Sequence, residues 1–340
     1  YVFVNPSSHK DAVHIHMNKV NAGVAHKRLG HPNDRYFETM LKHDMLDLTG
    51  IDPKLVKIHR DGGIVCHSCP FGHMNSRPSN RDSDRTPSGP MREIYMDVGG
   101  PMPVRGLHGE LYFNACRCRY TGHCSIYFMK RKDDIVEACK NFFHDLKVPV
   151  AVECTVHYNV ELVITDSDKL YMSAEMAALE KSNGNTHWFA APYSHFQAAG
   201  IESFMRVLGE GAIIELSASG LPPCMWPWAY AFTCWCKNRT YTSVYFEEAH
   251  RYMCPHERLY PGMKPKLIEM VVFGCKAWVF IDRASRLKME DHAWVGYFVG
   301  HPHAVKGFYI YDPQRMDIFV CYHVLFDERV VYGDELGAKR

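Results

Sequence analysis

The sequence predicts an α/β protein: a mixed sheet between helices, preceded by a small helical metal-binding module and followed by a small β-rich one. Three observations predict it. Strand-length apolar runs and helix-period stretches follow one another as β-β-β-α-β-α-β-α between residues 91 and 250. Histidine and cysteine pairs gather between residues 26 and 69, and strand-rich sequence returns after residue 270.

With 340 residues, 46% hydrophobic and 13% aromatic, the chain has apolar material for two or three domains. A formal net charge of +1 gives no overall pull toward polyanions, so nucleic-acid binding must come from local patches. No run of about 18 uncharged apolar residues occurs. The opening Tyr1-Val2-Phe3-Val4 lacks the basic segment and length of a secretory signal, so neither membrane insertion nor secretion is expected. The 13 cysteines, odd in number and scattered through apolar stretches, fit a reducing compartment. The start without Met and the abrupt ends suggest a piece of a longer chain.

Residues 1–74 form the expected metal module. Residues 75–90 are polar and Pro/Ser-rich, a linker by composition. From Met91, Glu93–Val98, Leu111–Arg117 and Cys124–Met129 read as a three-strand meander. A helix is expected over Asp134–Leu146, where Ile135, Cys139, Phe142, Phe143 and Leu146 share one face. A strand Leu162–Thr165, a helix Ser173–Lys181 and a strand His187–Ala190 follow, which lets the ends of the first and fourth strands lie side by side. A helical stretch over Pro223–Lys237 precedes the β-rich residues 251–340, with strands expected at Val271–Ile281, Trp294–Val299, Phe308–Tyr311 and Ile318–Phe326.

His26-x4-His31, then after 34 residues Cys66-x2-Cys69, offers two imidazoles and two thiolates suited to a closed tetrahedral zinc site. In a chain with 21 histidines chance pairs are common, but these occur in order and at ligand spacing. Such a site is structural, holding a piece too small for its own core. Cys116/Cys118 and Cys234/Cys236 sit in apolar patterns without a matching pair and read as core.

Asp97 closes the first strand before Gly99-Gly100-Pro101, and Asp166 closes the fourth. Two aspartates converging there repel unless a divalent cation lies between them. Glu202, with 35 residues between it and Asp166, shares one helical face with Arg206, opposite Ile201, Phe204, Met205 and Leu208. A single strand-end Asp is commonly a turn residue and a lone helical Glu commonly solvated. Together they match three carboxylates holding two Mg²⁺ or Mn²⁺ ions for in-line phosphoryl displacement.

These residues resemble the integrase region of copia-type (Pseudoviridae) retrotransposons. His26-Lys27-Arg28-Leu29-Gly30-His31-Pro32 is similar to that family's H-x-R-L-G-H-P opening, and Cys66-His67-Ser68-Cys69-Pro70-Phe71-Gly72 to its knuckle. Asp97-Val98-Gly99-Gly100-Pro101-Met102 and Ala191-Pro192-Tyr193 followed by Glu202 resemble its catalytic segments. Gly220-Leu221-Pro222, Asn238-Arg239, Val272-Phe273-Gly274-Cys275-Lys276-Ala277, Tyr311-Asp312-Pro313 and Val324-Leu325-Phe326-Asp327-Glu328 continue the resemblance. Two places depart from it. The usual D-N-G-G-E reads Asp166-Ser167-Asp168-Lys169-Leu170, and few basic residues follow Glu202; Gly209 and Gly211 are further expected to loosen that helix.

The resemblance implies an RNase H-like integrase core over 91–250 with Asp97, Asp166 and Glu202 as its D, D and E. It also implies structural zinc on His26, His31, Cys66 and Cys69, catalytic Mg²⁺ or Mn²⁺, element ends and target DNA as partners, and homo-oligomers. It places the chain in the nucleus and, as part of a polyprotein, in cytoplasmic virus-like particles. Arg206, Arg283, Arg286 and Lys288, with Lys10, Lys27 and Arg28, are candidate phosphate contacts. The alternatives are a decayed or domesticated integrase acting as a non-catalytic DNA-binding or assembly protein, and a nuclease on the same fold.

Overall fold

The computed structural model describes residues 22–32, 36, 39–40, 66–73, 87–147, 158–166, 168–189, 195–241, 245–246, 249–265, 267, 270–302 and 306–335. Lys10, the Ala191-Pro192-Tyr193 motif and most of the expected linker lie outside them.

The central sheet has the order β3-β2-β1-β4-β5, with β1 Glu93–Gly99, β2 Tyr112–Cys118, β3 Cys124–Met129, β4 Leu162–Thr165 and β5 Thr186–Phe189. β1, β2 and β3 pair antiparallel, whereas β4 runs parallel to β1 and β5 parallel to β4. This is the mixed RNase H-like α/β arrangement expected from the sequence. Along β1 the side chains alternate faces: Ile94 and Met96 join one core cluster and Tyr95 packs on another. The first is closed by a helix, Ile135–Asp145, whose Ile135, Val136, Ala138, Cys139, Phe142 and Phe143 are buried at helical spacing. Burying a side chain such as Phe142 contributes about 1.5–3 kcal/mol.

The second face is covered by two helices, His195–Ser219 and Trp226–Arg239, which supply Ile201, Phe204, Leu208, Trp226 and Cys234. Of the two glycines expected to loosen the first of these, Gly211 also lets the pair come together. A Cβ on Gly211 would lie 2.3 Å from Thr233 Cγ2, so only glycine allows this approach. The helix between the fourth and fifth strands, Ala174–Asn183, starts with Ser173 accepting from the Met176 N–H at 3.2 Å and ends at Gly184 with φ 72°.

The C-terminal strands form a five-stranded sheet of order β11-β10-β9-β8-β12: β8 Cys275–Phe280, β9 Ala293–Gly300, β10 Phe308–Asp312, β11 Asp317–Cys321 and β12 Val324–Val331. Here the sequence reading is corrected. The single strand expected over Ile318–Phe326 is two strands broken at Tyr322-His323, because β11 pairs with β10 at one edge while β12 crosses to pair with β8 at the other. The core of this module is shared: its Phe273, Phe298 and Phe308 cluster with Phe232 of Trp226–Arg239 and with Leu29 and Met40 of the N-terminal segment. Among the described residues no helix is long and apolar enough to cross a membrane.

Candidate active site and metal centre

His26 belongs to the helix Ala22–Arg28 and His31 to the turn after it, where Gly30 takes φ 69°. Cys66 precedes and Cys69 begins the short helix Cys69–His73. One ligand atom from each of the four residues lies within 4.8 Å of all the others. His26 Nε2 is 3.1 Å from Cys69 Sγ, and His31 Nδ1 is 3.3 and 3.4 Å from the sulfurs of Cys66 and Cys69. Tetrahedral zinc with Zn–S of about 2.3 Å and Zn–N of about 2.0–2.1 Å implies N···S edges of roughly 3.5 Å. The contacts from Cys69, His26 and His31 hold the Cys66 thiol far below its ordinary range, and burial pushes His31 down. Thiolate and neutral imidazole are the protonation states zinc requires, so these residues fit the ion.

The centre is docked. A Cβ on Gly72 would lie 2.7 Å from the Glu210 carbonyl oxygen, which seats the cysteine knuckle on the helix His195–Ser219. Arg28, read from sequence as a candidate DNA contact, is buried and donates from Nε at 2.8 Å to Glu328 Oε1 on β12. It serves the interior, not a phosphate. Lys27 is partly exposed.

The carboxylates come from three elements. Tyr95 and Asp97 share a face of β1, the one covered by Ile201 and Phe204 of the helix that carries Glu202. β1 and β4 run in a register of Ile94 with Val163 and Tyr95 with Ile164. Continued two residues, that register sets Asp97 against Asp166. Burial, then Asp166, and behind it Glu202 and Asp168, push Asp97 up to about 6, against the backbone N–H of Val98. Hard oxygen donors facing one another fit Mg²⁺ in kind. The set is open: among the described residues only the His/Cys cluster draws its ligand atoms within 4.8 Å of one another. Asp166 and Glu202 are exposed, and Asp97 is half-buried.

Two arrangements beside Asp166 escaped the sequence reading. Lys132, in the turn Lys132–Asp134, bonds Asp168 at 2.6 Å, and the Asp168 N–H donates to Asp166 Oδ1 at 3.2 Å. Behind Asp166, the Thr165 hydroxyl donates to the Asp166 carbonyl at 2.8 Å. With its proton spent there, Thr165 Oγ1 must accept from His187 Nε2 at 2.8 Å, which leaves His187 Nδ1 to accept from Glu180. A neutral acid and a neutral imidazole result, as burial requires: it pushes Glu180 up to about 7 and His187 down to about 4. Only the pairing of β4 with β5 places His187 beside Thr165, so no local signal marks it.

Of the expected phosphate contacts, Arg206 lies one turn beyond Glu202 but pairs with Glu210 at 3.0 Å. Arg283, Arg286 and Lys288 share the loop between β8 and β9, where Arg283 and Lys288 are exposed and Arg286 half-buried. They form a group apart from the carboxylate strands. No described cysteine is in a disulfide.

Residues 275–339 match the retroviral polymerase SH3-like domain. Over 92% of its length the chain is 24% identical to the retrovirus-related Pol polyprotein from transposon TNT 1-94 of Nicotiana tabacum. Over 96% it is 22% identical to that from transposon RE1 of Arabidopsis thaliana. It spans only 22% and 20% of those relatives, about a fifth of their length. Among solved structures it is similar to the HTLV-2 integrase catalytic core domain in complex with magnesium, at 12% identity and TM-score 0.37, covering 51% of this chain and 99% of that one. The simian T-cell lymphotropic virus intasome in complex with a PP2A regulatory subunit gives 13% and 0.40, covering 82% and 92%. The homologues of this chain are thus Pol polyproteins of plant retrotransposons, as the copia-type resemblance implies.

Proposed function

We propose that this chain is the integrase segment of a retrotransposon Pol polyprotein, a DDE-type polynucleotidyl transferase that joins a DNA 3′-hydroxyl to a target phosphodiester. On this reading residues 1–74 are the zinc module, 91–250 the catalytic core and 251–340 the β-rich module, acting as an oligomer on DNA in the nucleus. The observation that carries it is the parallel register of β1 and β4, which sets Asp97 against Asp166 under the helix of Glu202. Mg²⁺ or Mn²⁺, when bound there, supplies activation of the attacking oxygen and stabilisation of the leaving one. The chain's own groups position it: Thr165, held by His187, fixes the Asp166 backbone, and the pair Lys132–Asp168 fixes the turn after it.

A non-catalytic DNA-binding role is favoured by one specific feature. The nearest basic residue after Glu202, Arg206, is already paired with Glu210. Labelled duplex ends and supercoiled plasmid, incubated with the protein in Mg²⁺ and in Mn²⁺, decide between them. Joined products that disappear in Asp166→Asn are expected, with thermal stability kept because Asp166 is exposed. Zinc-loaded protein that binds DNA yet joins nothing would leave the non-catalytic reading standing.

A further inference from the structure

A cavity of about 390 Å³ opens between β3, the helices Ile135–Asp145 and Trp226–Arg239, and the turn after β9, and neither the carboxylates nor the zinc-site residues described above line it. Its lining combines flat faces, among them Trp235, Tyr260 and Tyr309, with Arg239, His256 and His301. The motif Asn238-Arg239 splits here into two roles. Asn238 is spent inside, accepting from the Cys124 N–H at 2.8 Å and donating to the Cys124 carbonyl at 2.7 Å.

Arg239 is different. Its guanidinium lies 3.9 Å from the centre of the Trp235 ring, and Nη1 donates to the Trp235 carbonyl at 3.2 Å. Among the described residues it has no other hydrogen bond and no carboxylate partner. A guanidinium has five N–H donors, and a partly buried cation lacking a counter-ion is costly unless a ligand completes it. The histidines do not compete for an anion. Burial, with Arg239 adding to it, pushes His256 down to about 4 and His301 down to about 3, so both are neutral, and among the described residues the buried His301 Nε2 has no hydrogen-bond partner. His301 also stacks on Trp235 at 4.2 Å, so Arg239 and His301 together cover that ring and a ligand's flat group meets Tyr260 and Tyr309 instead. The one carboxylate among the described lining residues, Asp145, takes the Tyr127 hydroxyl at 2.9 Å.

The charge calls for an anion, and the volume calls for more than a bare phosphate, since it falls in the range of about 300–1,000 Å³ typical of small-molecule sites. We propose that this cavity binds a nucleoside monophosphate unit, with the phosphate on Arg239 and the base against the aromatic wall. The unit is either a free nucleotide or the 5′-terminal residue of a strand.

Calorimetric titration of the zinc-loaded chain, without added Mg²⁺, tests this with inorganic phosphate, deoxyadenosine, dAMP and a 5′-phosphorylated dinucleotide. We expect dAMP to bind at least tenfold more tightly than phosphate or deoxyadenosine. Arg239→Gln should weaken dAMP at least tenfold and Arg239→Lys less, because the charge remains while the fork is lost. Ala231→Leu, which fills the cavity and leaves Arg239 in place, should weaken it similarly and decides the matter if Arg239→Gln does not fold. A dinucleotide tighter than dAMP identifies a strand end; the reverse identifies the free nucleotide. No dAMP binding at millimolar concentration, phosphate as tight as dAMP, or affinity unchanged in Ala231→Leu overturns the proposal.

Discussion

Behind Asp166, a chain of single hydrogen bonds from Glu180 through His187 to Thr165 fixes a backbone carbonyl, and its protonation is set by burial alone. Its sign with pH follows from that. Glu180 rises from 4.5 to about 7, so its stabilising contribution is complete below pH 4.5 and is lost as pH climbs through 7. His187 falls from 6.5 to about 4, so its contribution is complete above pH 6.5 and is lost as pH drops through 4. Between pH 4.5 and 6.5 the two slopes oppose each other. His187→Phe keeps the ring stacked on Phe189 but strips Glu180 and Thr165 of their partner, for a loss of about 1–3 kcal/mol. Urea midpoints should show the gap between wild type and variant widening from pH 4.5 to 6.5. A gap that fails to widen over that range would show that burial does not hold Glu180 protonated there.

Elements are held by contacts that residue type alone does not announce. The helices His195–Ser219 and Trp226–Arg239 touch at Gly211 and Thr233, and the buried Thr233 hydroxyl there has no partner among the described residues. Gly211→Ala should therefore lose about 1–3 kcal/mol from overpacking despite the better helix propensity of alanine. Adding Thr233→Ala removes the obstructing methyl, and the double variant should recover most of the loss. Additive costs in denaturant unfolding would show that the helices do not meet at this point. From the sequence, Gly211 reads as a weak spot in an isolated helix; the neighbouring helix gives it the opposite meaning.

At the scale of the whole molecule, the zinc centre is tied to both other parts. Its knuckle rests on the helix that carries Glu202, and Arg28 reaches Glu328 of β12, which also accepts from the Val272 N–H at 2.9 Å. The side chains of Arg28 and Glu328 are only 4% and 13% exposed, so Glu328→Gln removes a carboxylate charge facing a buried guanidinium and should cost about 1–3 kcal/mol. Chelating zinc should reach equally far. Hydrogen exchange should speed up in Trp226–Arg239 and Val324–Val331 as well as in residues 22–32, because Leu29 belongs to their common core. Loss of protection confined to the N-terminal segment would show that the three parts are independent.

By itself the sequence determined the short-range chemistry. Ligand spacing marked His26, His31, Cys66 and Cys69, strand ends marked Asp97 and Asp166, and the apolar stripe beside Glu202 marked its helix. Each signal lies within a few residues, where periodicity and side-chain type decide the outcome. Tertiary structure alone decided the partner of Arg28, which lies 300 residues away, the break at Tyr322-His323 and the tie of His187 to Thr165. It also decided the exposure of Arg239 to a cavity while Asn238 beside it is spent. Those outcomes depend on which surfaces meet across the sheets, and long-range pairing leaves no period in the chain that forms it.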